Sequence, residues 1–217
     1  MDKLQGGFDL DGVLALTQQS LLKELQTRGF YIGRKFEDVR TWEIEKAFPG
    51  EITVKNVMDV FHTPKFWERI EACPFLLAGA KNVSEKGVEL HIVTARAPNE
   101  FIGNVETITR KWLWYNGIVY NKLAFVKASD KHKYCVEKKL DFFIEDRGDT
   151  AISISNTLSC CSYLIDTPYN KNTTTYFPLV VRKSRVYFQD FYRKHYGDKN
   201  CYTEAKYEAR NTASHYE

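Results

Sequence analysis

Two aspartates stand two positions apart at the end of the first apolar segment, in the sequence Phe8-Asp9-Leu10-Asp11-Gly12. On a regular strand, residues i and i+2 point to the same side, so these carboxylates are crowded at one place. Their repulsion must be offset by a cation or a bound ligand. The pair is therefore a candidate catalytic or metal-binding site, and an exposed Asp-Gly turn is the simpler alternative.

Two later apolar segments also end in polar groups. Residues 90–93 lead to Thr94, whose hydroxyl can hold a phosphate oxygen together with the backbone N–H of Ala95. An ordinary threonine at a strand end or helix N-cap is the alternative. Residues 140–144 lead to Glu145 and Asp146. Carboxylates at the ends of two strands suit Mg²⁺, which prefers hard oxygen ligands and retains water for a substrate phosphate.

A lysine is the last candidate. Lys131 opens a helical pattern, and Lys133 is a near neighbour that can be confused with it. A single lysine is usually a solvated surface charge. The sequence alone leaves the choice between the two lysines open.

Short apolar segments that alternate with helical patterns must position these residues. Such alternation favours right-handed βαβ units and a mostly parallel, Rossmann-like sheet with helices on both faces. Sheets of this α/β class place ligands at their carboxyl edge. The predicted strands are residues 4–10, 89–94, 122–126, 140–144 and 161–165, and the predicted helices are residues 18–28, 99–116, 131–139 and 149–156.

The segment between the first two predicted strands is much longer than one crossover helix requires. Residues 17–78 contain helical patterns and many aromatic residues, and we interpret them as a small helical cap over the catalytic edge. Residues 1–16 and 79–176 then form the core. Residues 177–217 form a C-terminal extension, rich in tyrosine and basic residues, with a frayed end. The extension is either a terminal helix packed on the core or a surface for nucleic acid or another partner.

Composition narrows the classes of function. The 217 residues include 31 basic and 28 acidic side chains, and this small excess excludes a protein that coats polyanions. We expect no membrane span, because no apolar run approaches the roughly 18 residues required. The N-terminus shows no secretion signal, and the five cysteines form no CxxC pair. We therefore expect reduced thiols and a cytoplasmic location. The sequence leaves open whether the protein forms a homodimer.

Taken together, the four polar segments resemble the four signature motifs of the haloacid dehalogenase superfamily, in the same order. The resemblance covers residues 4–166, and the second acid, Asp11, is typical of the phosphatase branch. Residues 61–67, the triplet Thr94-Ala95-Arg96 and residues 143–147 are most similar to the 5′(3′)-deoxyribonucleotidase family. The resemblance implies a Mg²⁺-dependent phosphatase that hydrolyses nucleoside monophosphates, with a helical cap inserted after the first strand.

Residue by residue, the resemblance implies that Asp9 attacks phosphorus and forms an aspartyl phosphate, while Asp11 acts as acid and then as base. It implies that Mg²⁺ is held by the Asp9 carboxylate, the Asp11 backbone carbonyl and Asp146. The remaining implied roles are phosphate binding, by Thr94, Ala95 and Lys131, and the positioning of water or ligand, by Glu145 and Asp149.

The substrate stays open at this point. Phe66 and Trp67 of the predicted cap are candidates for stacking on a nucleobase, and a role in the interior of the cap is an equal alternative. The same chemistry would serve another small phosphate ester or a polynucleotide 3′-phosphate. A catalytically inactive binding module is a further alternative. Base preference, sugar preference and the choice between 5′ and 3′ phosphate do not follow from the sequence.

Overall fold

The structure, a computed structural model of the chain, describes residues 3–97, 104–173 and 180–193. Its sheet has six parallel strands in the spatial order β3-β2-β1-β4-β5-β6. The strands are β1 (Gln5–Phe8), β2 (Glu89–Thr94), β3 (Lys122–Phe125), β4 (Phe142–Glu145), β5 (Cys161–Ile165) and β6 (Val180–Lys183). The predicted α/β class is confirmed, and β1 lies between β2 and β4.

Two glycines allow β1 to fit beside β4. Gly6 pairs with Phe142 and Gly7 pairs with Phe143 in the parallel register. A Cβ atom on Gly6 would lie 2.1 Å from Phe142 Cζ, and one on Gly7 would lie 2.3 Å from Phe143 Cδ2. Glycine is a weak strand former, but here the phenyl rings of β4 fill the space that larger side chains in β1 would need.

Helices join the strands, and most of them precede β2. They are α1 (Thr17–Thr27), α2 (Ile44–Ala47), α3 (Val54–Phe61), α4 (Pro64–Arg69), α5 (Pro74–Glu85), α6 (Val105–Tyr115), α7 (Lys131–Glu137) and α8 (Gly148–Ser155). Proline at the first turn begins α4 and α5, where its missing N–H costs nothing. α3 contacts α1 and α4, and α4 contacts α6. These contacts tie the predicted cap to the helix that follows β2.

The C-terminal segment packs on the sheet as far as it is described. After β6, residues Arg185–Asp190 form a 3₁₀ helix that lies against α5. Phe188 and Phe191 are fully buried, and the Phe191 ring centroid lies 4.8 Å from that of Phe142 and 4.9 Å from that of Tyr163. This part of the aromatic extension therefore belongs to the core. The predicted frayed end falls on residues outside the described ones.

Two predictions from composition can be compared with the structure. Among the described residues, no helix combines the length and the apolar character that crossing a bilayer demands. Cys73, Cys135, Cys160 and Cys161 are buried and form no disulfide within the described part of the chain, whereas Cys201 lies outside it. A further prediction, the helix over residues 99–116, can be compared only from residue 104 onward, because residues 98–103 lie outside the described ones. In the described part, α6 begins at Val105 and ends at Tyr115.

Candidate active site

The carboxyl ends of three adjacent strands bring most of the predicted site residues together. Asp9 follows β1, Thr94 ends β2, and Glu145 ends β4. Because β2, β1 and β4 are neighbours in a parallel sheet, these ends meet at one edge. The Asp9 N–H donates to the Ile144 carbonyl at 2.9 Å, which extends the β1–β4 pairing as far as the acidic residues.

A buried lysine joins two of the acids. Lys131, the first residue of α7, is 1% exposed, and its Nζ lies 2.8 Å from both Asp9 Oδ1 and Glu145 Oε2. Glu145 Oε1 accepts from the backbone N–H groups of Asp146 and Arg147, at 3.0 and 3.1 Å. Lys133 is exposed and pairs with Asp130. Of the two lysines, it is Lys131 that faces the candidate site.

Burial and neighbouring charge set the pKa values of this triad. Burial, followed by the charge of Glu145, raises the pKa of Asp9 well above its ordinary value, against the opposing effect of Lys131. Burial acts to lower the pKa of Lys131, but Asp9 and Glu145 outweigh it and hold that pKa above its usual range. Burial acts to raise the pKa of Glu145, but Lys131 and its hydrogen bonds hold it below the usual range.

Asp146 is a fully buried acid whose two carboxylate oxygens differ in their hydrogen bonding. The Tyr169 hydroxyl donates to Asp146 Oδ2, whereas Oδ1 has no hydrogen-bond partner among the described residues. The Asn170 amide donates to the Asp146 backbone carbonyl at 2.7 Å. Burial and the charges of Glu145 and Asp9 raise the pKa of Asp146 well above its ordinary value.

This donor set fits a hard divalent cation. Asp9, Glu145 and Asp146 each offer a carboxylate oxygen, and these oxygens lie within 4.8 Å of one another. Glu145 is already engaged by Lys131 and by two backbone N–H groups. Asp9 and Asp146, whose pKa values are raised, are therefore the acids whose charge a bound cation would compensate.

Asp11 lies in a different environment from Asp9. Arg96 donates to it with Nε at 2.8 Å and with Nη2 at 2.7 Å, and the Thr17 hydroxyl donates at 2.6 Å. Burial acts to raise the pKa of Asp11, but Arg96 and Thr17 outweigh it and hold the pKa below its ordinary value. Asp11 is therefore kept ionised, whereas burial favours the protonated form of the neighbouring Asp9.

Arg96 also contacts the predicted cap. Its guanidinium carbon lies 4.8 Å from the centroid of the Trp67 ring, a cation–π contact, and the Trp67 indole N–H donates to the Phe61 carbonyl at 2.7 Å. Arg96 thus links Asp11 on the core to α4. The sequence motif includes Arg96 but does not predict its contacts with Asp11 and Trp67. The available indication was its position directly after Thr94 and Ala95, the candidate phosphate-binding residues.

A cavity of about 510 Å³ is lined both by Asp9 and Asp11 and by residues of the predicted cap. Its polar end includes Asp9, Asp11, Ala95, Arg96 and Lys131. The lining also includes polar and charged side chains, Thr17, Gln18, Glu43, Glu45 and Arg147. Its apolar and aromatic side chains are Leu21, Trp42, Ile44, Val54, Val57, Met58, Phe61, Trp67, Val105 and Ile108. The cavity therefore offers charged groups for a polar group of a ligand and apolar surface for the rest of it.

The other predicted residues lie around this cavity or behind it. Trp67 lines it, while Phe66 is 7% exposed and belongs to the hydrophobic core, its ring centroid 5.8 Å from that of Phe61. Thr94 is fully buried, and its Oγ1 accepts from the Arg96 N–H at 3.2 Å. Asp149 has an exposed carboxylate that pairs with Arg147 at 2.6 Å.

Comparisons with known proteins agree on the fold. No protein-family model matches the chain. It is 33% identical over 86 residues to a "putative nucleotidase" of Halalkalibacterium halodurans, a match that spans 40% of this chain and 42% of that protein. An L-2-haloacid dehalogenase superposes with a TM-score of 0.53 at 13% identity, covering 91% of this chain and 100% of the other. The chain has the haloacid dehalogenase fold.

A second structural relative supports this assignment. A "putative phosphoglycolate phosphatase" from Lactobacillus delbrueckii subsp. bulgaricus superposes with a TM-score of 0.55 at 17% identity, covering 85% of this chain and 95% of the other. In the present chain, Asp9, Lys131, Glu145 and Asp146 lie together at the carboxyl edge of the sheet.

Gly12 allows the two acidic segments of the haloacid dehalogenase core to approach each other. Its φ is +82°, and a Cβ atom would lie 2.0 Å from Asp146 Oδ2. We expect Gly12→Ala to lower the free energy of unfolding by at least about 1–3 kcal/mol, since it adds backbone strain and displaces Asp146. Urea denaturation measures the loss.

Gly33→Ala is the matched control, because Gly33 has the same φ of +82° and nothing within 4 Å of a Cβ position. The difference between the two variants isolates the contact with Asp146. Equal losses of stability in the two variants would contradict the contact.

Proposed function

We propose that the protein is a Mg²⁺-dependent phosphatase that hydrolyses nucleoside monophosphates through an aspartyl phosphate on Asp9. The observation that carries the proposal is the buried cluster of Asp9, Lys131, Glu145 and Asp146. Asp9 and Lys131 of this cluster line a cavity that also presents apolar and aromatic side chains. The haloacid dehalogenase fold and the partial match to a nucleotidase-named protein support it.

In the proposed reaction, the Asp9 carboxylate attacks phosphorus in line, the phosphorus–oxygen bond to the leaving group breaks, and an aspartyl phosphate forms. Lys131 holds Asp9 in position and offers positive charge to the phosphoryl oxygens. Thr94 and the Ala95 N–H are proposed to bind the remaining phosphate oxygens. Mg²⁺, bound through Asp9, the Asp11 carbonyl and Asp146, would neutralise charge on the transferred group.

Asp11 is proposed to protonate the leaving oxygen and then to take a proton from the water that hydrolyses the intermediate. The bidentate contact with Arg96 suits the second step, because it keeps Asp11 ionised. The first step requires a protonated Asp11, which the same contact opposes. We therefore propose that Arg96 shifts away from Asp11 when substrate fills the cavity.

We expect Mg²⁺ to raise the melting temperature of the protein, because it binds the folded chain and offsets the repulsion between Asp9 and Asp146. Asp146→Asn removes one ligand and one buried charge. It is expected to melt at or above the wild-type temperature without Mg²⁺ and to lose most of the Mg²⁺-induced increase. Thermal unfolding with Mg²⁺ and with a chelator measures both effects.

The control for this variant is Asp149→Asn, which alters an exposed carboxylate that pairs with Arg147. It should keep the full Mg²⁺-induced increase. If Mg²⁺ raised the melting temperature of both variants equally, Asp146 would not be a ligand of the metal.

Release of inorganic phosphate tests the proposed function. The panel consists of nucleoside 5′- and 3′-monophosphates, ribose 5-phosphate and para-nitrophenyl phosphate, each with Mg²⁺. Turnover of nucleoside monophosphates above the others is the expected result. If 3′-phosphorylated oligonucleotides strongly inhibited the hydrolysis of these esters, a polynucleotide 3′-phosphate would be the better candidate substrate. No turnover of any ester would overturn the phosphatase proposal and favour a binding module.

A further inference from the structure

Tyr169 is a residue outside the four sequence motifs that contacts one of the acids of the site. It lies in the 3₁₀ helix Pro168–Asn170, which follows β5. Its hydroxyl donates to Asp146 Oδ2, and the amide of the next residue, Asn170, donates to the Asp146 backbone carbonyl at 2.7 Å. One short segment therefore holds Asp146 at two points, its carboxylate and its main chain.

This segment is itself held in place from two sides. Arg182 on β6 donates to the side-chain oxygen of Asn170 at 2.7 Å and to its backbone carbonyl at 2.8 Å. The Tyr169 ring packs edge-on against two aromatic residues of the predicted cap, with its centroid 6.1 Å from that of Phe36 and 5.4 Å from that of Trp42. These contacts fix the position from which the Tyr169 hydroxyl reaches Asp146.

The Tyr169 contact makes the two carboxylate oxygens of Asp146 unequal. Oδ2 accepts from the tyrosine hydroxyl and also lies against Gly12, where a Cβ atom would come within 2.0 Å of it. Oδ1 makes no hydrogen bond within the described part of the chain. Because Oδ2 is engaged, Asp146 offers a cation one oxygen rather than two.

The number of oxygens that a carboxylate offers affects the choice of cation. Mg²⁺ demands a near-ideal octahedron with ligands at about 2.0–2.1 Å, whereas Ca²⁺ takes about 6–8 oxygens at about 2.3–2.6 Å and often binds both oxygens of one carboxylate. An acid that presents one oxygen in a fixed orientation suits Mg²⁺. An acid that is free to turn and present both oxygens suits Ca²⁺ better.

We infer that Tyr169 is a positioning residue for Asp146, and that its hydroxyl favours Mg²⁺ over Ca²⁺ by engaging one of the two Asp146 oxygens. This inference rests on the Mg²⁺ site of the proposed function and adds to it a residue that none of the four motifs contains. Tyr169 acts through Asp146 and takes no part in the phosphoryl transfer itself.

The experiment compares wild-type protein with Tyr169→Phe, which removes the hydroxyl and keeps the ring between Phe36 and Trp42. The melting temperature is measured against the concentration of Mg²⁺ or of Ca²⁺ after treatment with a chelator, and its increase gives the affinity for each cation. In Tyr169→Phe, the Mg²⁺ affinity should fall by about 10- to 100-fold, as is typical when a partner of a metal ligand is removed. The Ca²⁺ affinity should fall less or rise.

The ratio of the two affinities is the decisive measurement, because a variant that only loosened the site would lose both cations alike. Tyr134→Phe is the matched control: its half-buried hydroxyl lies 2.9 Å from His91 Nδ1, and neither residue belongs to the acidic cluster. It should keep the wild-type ratio. An unchanged Mg²⁺ affinity in Tyr169→Phe, or an equal loss of both cations, would overturn the inference.

Cation binding separates this inference from the proposed function. A preference for Mg²⁺ that depends on the Tyr169 hydroxyl supports the inference even if wild-type protein hydrolyses no ester. If Tyr169→Phe keeps the wild-type preference, the role of Tyr169 is wrong even if phosphate release is found. A wild-type melting temperature that does not respond to Mg²⁺ would overturn both the metal site and the role of Tyr169, whatever the phosphate assay shows.

Discussion

Asp9→Asn is expected to lower phosphate release from every substrate by at least about 10⁴-fold, since removing a nucleophile can cost 10⁴- to 10⁶-fold in enzymes that use covalent catalysis. An amide has the shape of the carboxylate but cannot attack phosphorus. Lys131 keeps its contact with Glu145, so its charge stays paired. The measurement is steady-state phosphate release with Mg²⁺.

We expect the Asp9→Asn variant to fold, because the substitution removes a charge that burial disfavours. Burial and Glu145 raise the pKa of Asp9, so a folded chain without Mg²⁺ disfavours its charge, and a neutral amide relieves that strain. We expect a Mg²⁺-free melting temperature close to or above that of wild type. A variant that melts normally and still turns over substrate would show that Asp9 is not the nucleophile.

Asp9→Asn also separates catalysis from binding alone. A catalytically inactive binding module would keep its ligand affinity in this variant, and the wild-type chain would release no phosphate. The proposed enzyme would bind monophosphates in the variant and hydrolyse them only in the wild type. Calorimetry on the variant and phosphate release from the wild type therefore give different patterns for the two alternatives.

The acidic edge of the site was predictable because it depends on local sequence and on topology. The segments that end at Asp9 and at Glu145 are apolar runs followed by acids, and parallel strands bring such ends to one edge. Strands 89–94 and 161–165 have the predicted bounds. Once β1 and β4 are neighbours, the approach of Asp9 to Glu145 and Asp146 at the end of β4 follows from the parallel pairing.

Contacts made by side chains across elements were not predictable. Arg96 on Asp11 joins residues 85 positions apart, and Tyr169 on Asp146 joins residues 23 positions apart. No local pattern marks either pair. The sixth strand, Val180–Lys183, was also missed: its last residues are basic, and Arg182 is held by Asp166 and Asn170, partners that only the folded chain supplies.

The weak first strand illustrates a different limit. Gly6 and Gly7 reduce strand propensity, yet β1 is central in the sheet. Glycine is needed at these positions because the rings of Phe142 and Phe143 occupy the space of a Cβ atom. These two phenylalanines are far away in the sequence, so the sequence around β1 does not indicate the contact. Local propensity was outweighed here by tertiary packing, as is common for strands.

Lys131→Met is expected to give the largest loss of stability of any change at the site. It leaves Asp9 and Glu145 buried without their shared cation, and removing one member of a buried ion pair costs about 3–5 kcal/mol. Phosphate release should be lost as well. Urea denaturation without Mg²⁺ measures the loss of stability, and Lys133→Met, which alters the exposed lysine, should behave like wild type.

A double variant tests the electrostatic explanation directly. If the loss in Lys131→Met comes from uncompensated carboxylates, Asp9→Asn in the same chain should restore part of the lost stability, because one of the two unpaired charges is gone. Additive effects of the two substitutions would show that the pairing with Asp9 does not account for the loss of stability in Lys131→Met. A Lys133→Met variant as unstable as Lys131→Met would contradict the assignment of Lys131 as the cation that holds Asp9.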